Sequence, residues 1–392
     1  MICIKTQYFN LNRILLLAIG LWPYHQSKFV RFQAFLFFSI LTSFIIFQLT
    51  AFITTKCTPE FIIKVLSNIM VSTAYIIQYN SFWMNTHNLK CLLEQLQNVC
   101  NELKDKNEVA IFEEYGNISK YLTTISFAMC GAFNALFLPI WPQILGSDLH
   151  INVSQSRQTM QIVTEYFIDQ EKYFYFILLH KNVVICIGAT TLTGTGTMFI
   201  GYFIYICGVF RIASYRIERA MTTKIRENIN IENQTMIYKD IIDAIEIHRK
   251  AIKFTDFISS TFSGSVSLLI IIGVVSLSLN IFGIFRNASL GDKESFLLNF
   301  LFVLVILICM FVGNYAGQEI TNHNNHVYFA AYNSRWYIAP LHAQKLIFFI
   351  LLRGGKSVNV NIGGLIVASL ECFTNLTKTS MSYFTVMSSM QE

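Results

Sequence analysis

The chain has 392 residues, of which only 13% are charged, and its mean hydropathy is +0.48. That charged share is about half the usual one for a soluble domain. The net charge of +6 is too small and too scattered to mark a nucleic-acid binder. Nine cysteines occur without a single CxxC pair, and most lie in apolar stretches, which excludes a disulfide framework and a zinc site.

In chain order, the first apolar stretch is 14–21, preceded by Lys5 and Arg13. It is too short to span, and Trp22-Pro23 follows where a signal peptide would carry small residues. The expectation is a retained half-length helix dipping into the interface. Six longer stretches follow without one Asp, Glu, Lys or Arg: 32–55, 65–89, 121–147, 182–210, 257–285 and 295–318. A bilayer core about 30 Å thick takes roughly 20 apolar residues in a helix. A backbone in lipid must satisfy its own hydrogen bonds, so each stretch predicts a spanning helix. Between the fourth and fifth, 211–253 mixes charges of both signs with an isoleucine stripe (Ile229, Ile237, Ile241, Ile242, Ile245, Ile252). It predicts helical extensions of both spans into the cytoplasm, packed on another surface. A helix over 341–352 stays on the cytoplasmic side, and 361–387 is read as a seventh span.

Seven spans put the termini on opposite sides. Alternate segments then hold 21 Lys and Arg on one side and 7 on the other, with Lys378 inside the last span. The positive-inside bias puts the richer side in the cytoplasm. The fold class is therefore an all-α polytopic membrane protein with seven transmembrane helices, a cytoplasmic N-terminus, an extracellular C-terminus and a short N-terminal re-entrant helix. This orientation is opposite to that of G-protein-coupled receptors. The sequons at Asn152 and Asn287 fall on the outside, where glycosylation is possible. Three parts follow: 1–31 cytoplasmic, 32–330 spans one to six, and 331–392 an anchor helix and the last span.

No HExxH, GxxxxGK[ST] or GxSxG occurs, and His323-Asn-Asn-His326 lacks a third ligand, so the chain is read as no enzyme with no cofactor or metal. No two halves match in hydropathy, as transporters built from repeats would require. The last span is the most polar, carrying Glu371, Lys378 and a series of Ser and Thr. Charged groups at that depth should face protein or water. Such a helix either lines an aqueous path shared by several copies or is merely buried in the bundle.

The tail reads Tyr332-Asn333-Ser334-Arg335-Trp336-Tyr337, Pro340, Gln344-Lys345, Leu352-Arg353, Gly363-Gly364, Ser369-Leu370-Glu371-Cys372-Phe373 and Ser380-Met381-Ser382-Tyr383-Phe384-Thr385-Val386. With Gly20-Leu21-Trp22-Pro23 and Ser214-Tyr215-Arg216-Ile217-Glu218, it resembles the insect odorant receptors. The short loop between spans four and five resembles a ligand-tuning subunit rather than the longer co-receptor. The resemblance implies an odorant-gated, non-selective cation channel in the plasma membrane of sensory neurons. It implies a heterotetramer with the co-receptor, whose pore is lined by the last helix of each subunit. It also implies partners limited to a small volatile odorant, the co-receptor and membrane lipid, with no nucleic acid. Carried onto this chain, it places a gate at Val386 and Met390, with Thr385 and Ser382 on the pore helix. It places a subunit anchor at Tyr332, Arg335, Trp336 and Tyr337. A ligand pocket falls in the outer half of spans two, three, four and six, at Met70, Thr73, Tyr75, Phe133, Asn134, Phe137, Thr190, Thr193 and Thr197. Small residues of span four also suit plain close helix packing. The alternative function is a transporter or membrane enzyme without recognised motifs.

Overall fold

The structure is a computed structural model that describes residues 8–137, 164–169, 172–223, 231–364 and 366–390. Within these, 59–60, 133–137, 222–223, 231–232 and 294 are described by backbone alone. The described residues form α1 (Asn10–Ala18), α2 (Lys28–Leu49), the one-turn α3 (Ala51–Thr54), α4 (Pro59–Met84), α5 (Thr86–Glu102) and α6 (Lys106–Phe137). Then come α7 (Phe174–Thr223), α8 (Ile231–Leu290), α9 (Lys293–Asn333), a 3-10 turn (Trp336–Ile338) and α10 (Leu341–Gly354). A hairpin of β1 (Asn361–Ile362) and β2 (Ile366–Val367) leads into α11 (Leu370–Ser389).

The helices start where their sequences supply caps. Ser27 Oγ accepts from Val30 N at 3.2 Å, Thr58 Oγ1 from Phe61 N at 3.3 Å, and Asp292 Oδ1 from Ser295 N at 3.1 Å. Each such cap contributes about 1 kcal/mol. Among the described residues, five helices are long and apolar enough to cross a membrane: α2, α4, α7, α8 and α9. The other two crossings are α6, laid along α7, and α11, packed on α8 and α9. At 1.5 Å per residue, the 50 residues of α7 reach about 75 Å and the 60 of α8 about 90 Å. Both exceed a bilayer, so the expected cytoplasmic extensions are present.

Below the membrane these extensions make a second bundle with the ends of α5, α6 and α9. Its core is apolar, with Phe112, Phe210, Ile212, Ile217, Ile241 and Ala331 all inaccessible. One bidentate ion pair is sunk beside it. Arg216 Nε and Nη2 donate to Glu108 Oε1 and Oε2, both at 2.8 Å, and its Nη1 donates to Asp243 O at 3.1 Å. Tyr215 donates to Asp105, which also pairs with Arg219. The backbone N–H of Asn107 and these two side-chain donors hold the Asp105 carboxyl below its usual range. The Ser-Tyr-Arg motif at the foot of span four is thus a strut to the α5–α6 turn, completed by His326 against Ser214 at 3.1 Å.

One expectation is sharpened here and one corrected. The N-terminal re-entrant helix is wedged into the bundle, with Asn12 and Leu16 inaccessible. Asn12 Nδ2 donates to Thr197 Oγ1 at 2.8 Å, and its Oδ1 accepts from Thr123 Oγ1 at 3.3 Å. The chain returns through Ile19, whose carbonyl accepts from Tyr79 at 2.9 Å. The seventh span does not begin at Asn361. Gly363 and Gly364 have φ of 63° and 73°, a left-handed turn that glycine adopts without strain. They close the hairpin, so the helix begins only at Leu370. Glu371 therefore sits exposed in the first helical turn, where the helix dipole favours an acid, and not at mid-membrane.

Candidate functional site: ligand pocket, pore helix and subunit anchor

Among the residues expected at the pocket, Tyr75 of α4 packs against α7. A Cβ built on Gly188 of α7 would lie 2.2 Å from the Tyr75 ring, so only glycine admits the ring at that level. Cys130 Sγ of α6 lies 3.6 Å from Ala189 O of α7. Spans two and three thus each meet span four, at the adjacent residues Gly188 and Ala189. Met70 and Thr73 lie half-buried on α4, and Thr190 and Thr193 half-buried on α7. Thr73 Oγ1 donates within its own helix to Ile69 O at 2.7 Å.

Thr197 does not belong with these. Its hydroxyl accepts from Asn12 and donates to Thr193 O at 2.6 Å, so the re-entrant helix occupies it. Gly194 beside it lies against Leu15 of the same helix, with a built Cβ at 3.2 Å. For that part of span four, close helix packing explains the small residues. The side chains of Phe133, Asn134 and Phe137 lie outside the described residues, as does the sequon at Asn152. Asn287 lies in the last turn of α8, half-buried. It lines an outer cavity of about 320 Å³ between α4, α8 and α9.

Sequence reasoning missed three residues here. Gly188 carried no pattern that pointed to it. Lys181, counted as an outer-loop charge, is 6% exposed inside α7. A buried cation in a spanning helix is expensive and usually functional. Its neighbour Asn182 is 5% exposed, and among the described residues neither amide atom has a hydrogen-bond partner. Orphaned polar groups of this kind are rare and mark a site for a further partner.

The last helix has two faces. Phe373, Leu376, Thr377, Ser380, Phe384 and Met387 recur at helical spacing and turn toward the bundle. Phe373 meets Phe311 at 5.5 Å between ring centroids, and Phe384 stacks on Phe285 at 4.9 Å. Ser278 Oγ donates to Ser380 O at 3.0 Å, tying the helix to α8. The opposite face presents Glu371, Asn375, Lys378, Ser382, Thr385 and Ser389, all exposed. Val386 and Met390 are exposed beside them, at 55% and 81%.

At the cytoplasmic end of α9, Tyr332 and Tyr337 are 58% and 65% exposed, Arg335 is exposed and Trp336 is half-buried. Tyr332 stacks on Tyr328, whose own side chain closes on Gly354 of α10. Exposed Phe329, Leu341, Phe348, Phe349 and Leu352 extend the patch along α9 and α10. His323 and His326 serve packing, with Tyr115 OH 2.7 Å from His323 Nε2. No group of metal-binding side chains occurs among the described residues.

The sequence profile of the family described as "7tm Odorant receptor" matches residues 58–381 of this chain. The chain belongs to the odorant receptor family. Among curated relatives, Odorant receptor 33c of Drosophila melanogaster is 26% identical over 159 residues, covering 40% of this chain and 41% of that protein. Odorant receptor 22c of the same fly is 22% identical over 209 residues, covering 50% and 51%. The chain spans about half the length or less of the curated relatives it matches. In fold it is similar to the insect olfactory receptor OR5 from Machilis hrabei in complex with eugenol. That match has a TM-score of 0.80 at 14% identity and covers 99% of this chain and 98% of that one. A second structure of the same receptor gives a TM-score of 0.77 at 14% identity, covering 97% of each chain. This odorant receptor is a multi-pass membrane protein and not an enzyme.

Proposed function

We propose that this odorant receptor is the ligand-tuning subunit of an odorant-gated, non-selective cation channel. In this reading it assembles with a co-receptor as a heterotetramer in the plasma membrane of sensory neurons. The observation that carries the reading is the two-faced α11. One face is held by α8 and α9, and the other is a stripe of Glu371, Asn375, Lys378, Ser382, Thr385 and Ser389 that nothing among the described residues covers. A polar stripe running the length of a membrane helix needs water or polar partners. Several copies around an axis supply both. Val386 and Met390, one turn apart on the outer end, form the gate, closing the path by dewetting. The exposed aromatic surface around Tyr332, Arg335, Trp336 and Tyr337 is the subunit anchor, being of the residue types that dominate interfaces.

The odorant enters beside Tyr75. Met70, Thr73, Thr190 and Thr193, with Phe133, Asn134 and Phe137, make a largely apolar wall with few polar groups, as a small volatile requires. Lys181 and Asn182 add buried polarity at the outer end of α7. In support, the structure similar to this chain over 98% of its own length is that of a receptor in complex with eugenol. The test is co-expression with a co-receptor subunit and a screen of volatiles by voltage clamp. The expected result is a ligand-evoked current carried by Na⁺ and K⁺ alike, with leak or permeability altered by Val386→Ser. Absence of current across the panel, with both subunits at the cell surface, contradicts it.

A further inference from the structure

Where the loop after α1, the first turn of α2 and the α4–α5 junction meet, the structure encloses a cavity of about 310 Å³. Its walls include Trp22, Gln26, Arg31, Trp83, Thr86 and His87. That volume is at the lower end of small-molecule sites, which run from roughly 300 to 1,000 Å³. The proposed channel function uses none of these residues.

Among the described residues, Arg31 is the cation of the cavity wall and no carboxylate lines it; the sequence holds no Asp or Glu before Glu60, while Lys5, Arg13, Lys28, Arg31 and Lys56 all precede it. The first turn of α2 carries Lys28 and Arg31 with no acid to offset them. The nearest acid further along α5, Glu94, is engaged by Lys90 at 4.0 Å. Thr86 donates its hydroxyl to Trp83 O at 2.7 Å, so the donors facing the cavity are Arg31, Gln26 and the exposed His87. A guanidinium with an imidazole and an amide is a donor set for a phosphate.

Position supplies the rest. Arg31 is the last charge before the uncharged run of span one, so its guanidinium lies where the bilayer meets the cytoplasm. Trp22 and Trp83 stand at the same level, the depth that tryptophan prefers. From there α2 presents Phe29, Phe32, Phe35 and Leu36 outward, at 73%, 63%, 70% and 43% exposure. They make an apolar track leading from the cavity into the hydrocarbon.

We propose that this cavity binds the phosphorylated headgroup of an anionic lipid of the inner leaflet. Arg31 and His87 hold the phosphate, and the acyl chains lie along Phe29, Phe32 and Phe35. The bound lipid ties the re-entrant segment to spans one and two, since Trp22 follows α1 directly.

The full chain in phosphatidylcholine nanodiscs provides the test. Dioctanoyl phosphatidylinositol 4,5-bisphosphate is titrated while tryptophan fluorescence is read, with native mass spectrometry to count bound lipid. Two of the four tryptophans line the cavity. Saturable binding is expected, weakened about fivefold by Arg31→Gln and by His87→Gln, as one basic group near an anionic surface is worth. Lys345→Gln, on exposed α10, should leave it unchanged. His87 is exposed, so its variant keeps the test alive should Arg31→Gln fail to fold. Three results overturn the proposal. One is no saturable binding. Another is an equal loss in Lys345→Gln, which would mean diffuse charge attraction. The third is equal affinity for inositol 1,4,5-trisphosphate, which would make the site one for a soluble phosphate.

Discussion

Two helices cross this membrane with opposite chemistry. Along α7, Tyr202, Tyr205, Phe210, Ile212, Ala213 and Ile217 are inaccessible, enclosed by the other helices of the same chain. Along α11, only Ser380 is fully buried, and a polar face looks outward. The first helix is completed by its own chain. The second keeps its polar face uncovered by the described residues, and in the proposed channel partner subunits complete it. Polar groups follow the same division. On α7, Thr197 and Arg216 are satisfied inside the chain, by Asn12 and by Glu108. The long polar side chains of the α11 stripe, Glu371, Asn375 and Lys378, face outward.

If the comparison holds, changes on the enclosed side should cost stability, while changes on the open face should alter function alone. The largest expected effect is at the buried ion pair. Glu108→Ala leaves Arg216 charged, with its side chain 16% exposed, and should cost about 3–5 kcal/mol. A loss of thermal stability in detergent and of surface expression would show it. A variant that melts like the wild type would break the comparison.

Next is Gly188→Ala. The added methyl would meet the Tyr75 ring, and overpacking costs about 1–3 kcal/mol. The ring must swing or the helices part, so agonist potencies should shift along with the melting temperature. Unchanged potencies would separate Tyr75 from the ligand.

The smallest effect sharpens the division within α7. Thr197→Val orphans the Asn12 amide and should destabilise by about 1–3 kcal/mol without reordering agonists. Thr193→Val, half-buried, should do the reverse, changing agonist rank order at normal surface expression. Equal behaviour of the two would mean that both only hold the bundle together.

The spans were legible because a run of roughly 20 uncharged, apolar residues suits the thickness of a bilayer and little else. The cytoplasmic extensions of α7 and α8 were legible because charges and isoleucines alternate at helical spacing. The start of α11 was not. The residues of 358–369 are as apolar as a span, and only the paired left-handed glycines force a hairpin there. Lys181 looked like a loop charge because apolarity along the chain does not reveal where the first turns of a helix sit. The contacts that fix the site were the least legible. Asn12 reaches Thr197 across 185 residues, and Glu108 reaches Arg216 across 108. No local pattern announces either pair. The outward face of α11 could be read from polarity, whereas its inward face, through Ser380 and Phe384, needed the neighbours to be seen.

Thiol accessibility on the last helix tests the central claim most directly. Ser382→Cys and Ser380→Cys would each be expressed with the co-receptor. Ligand-evoked current would be followed while a charged, water-soluble methanethiosulfonate is applied, with the unmodified receptor as control for its nine native cysteines. The account predicts irreversible loss of current for Ser382→Cys and none for Ser380→Cys, which is inaccessible in the bundle. Block at Ser380→Cys with none at Ser382→Cys, or no difference between the two, would contradict a pore lined by the open face of α11.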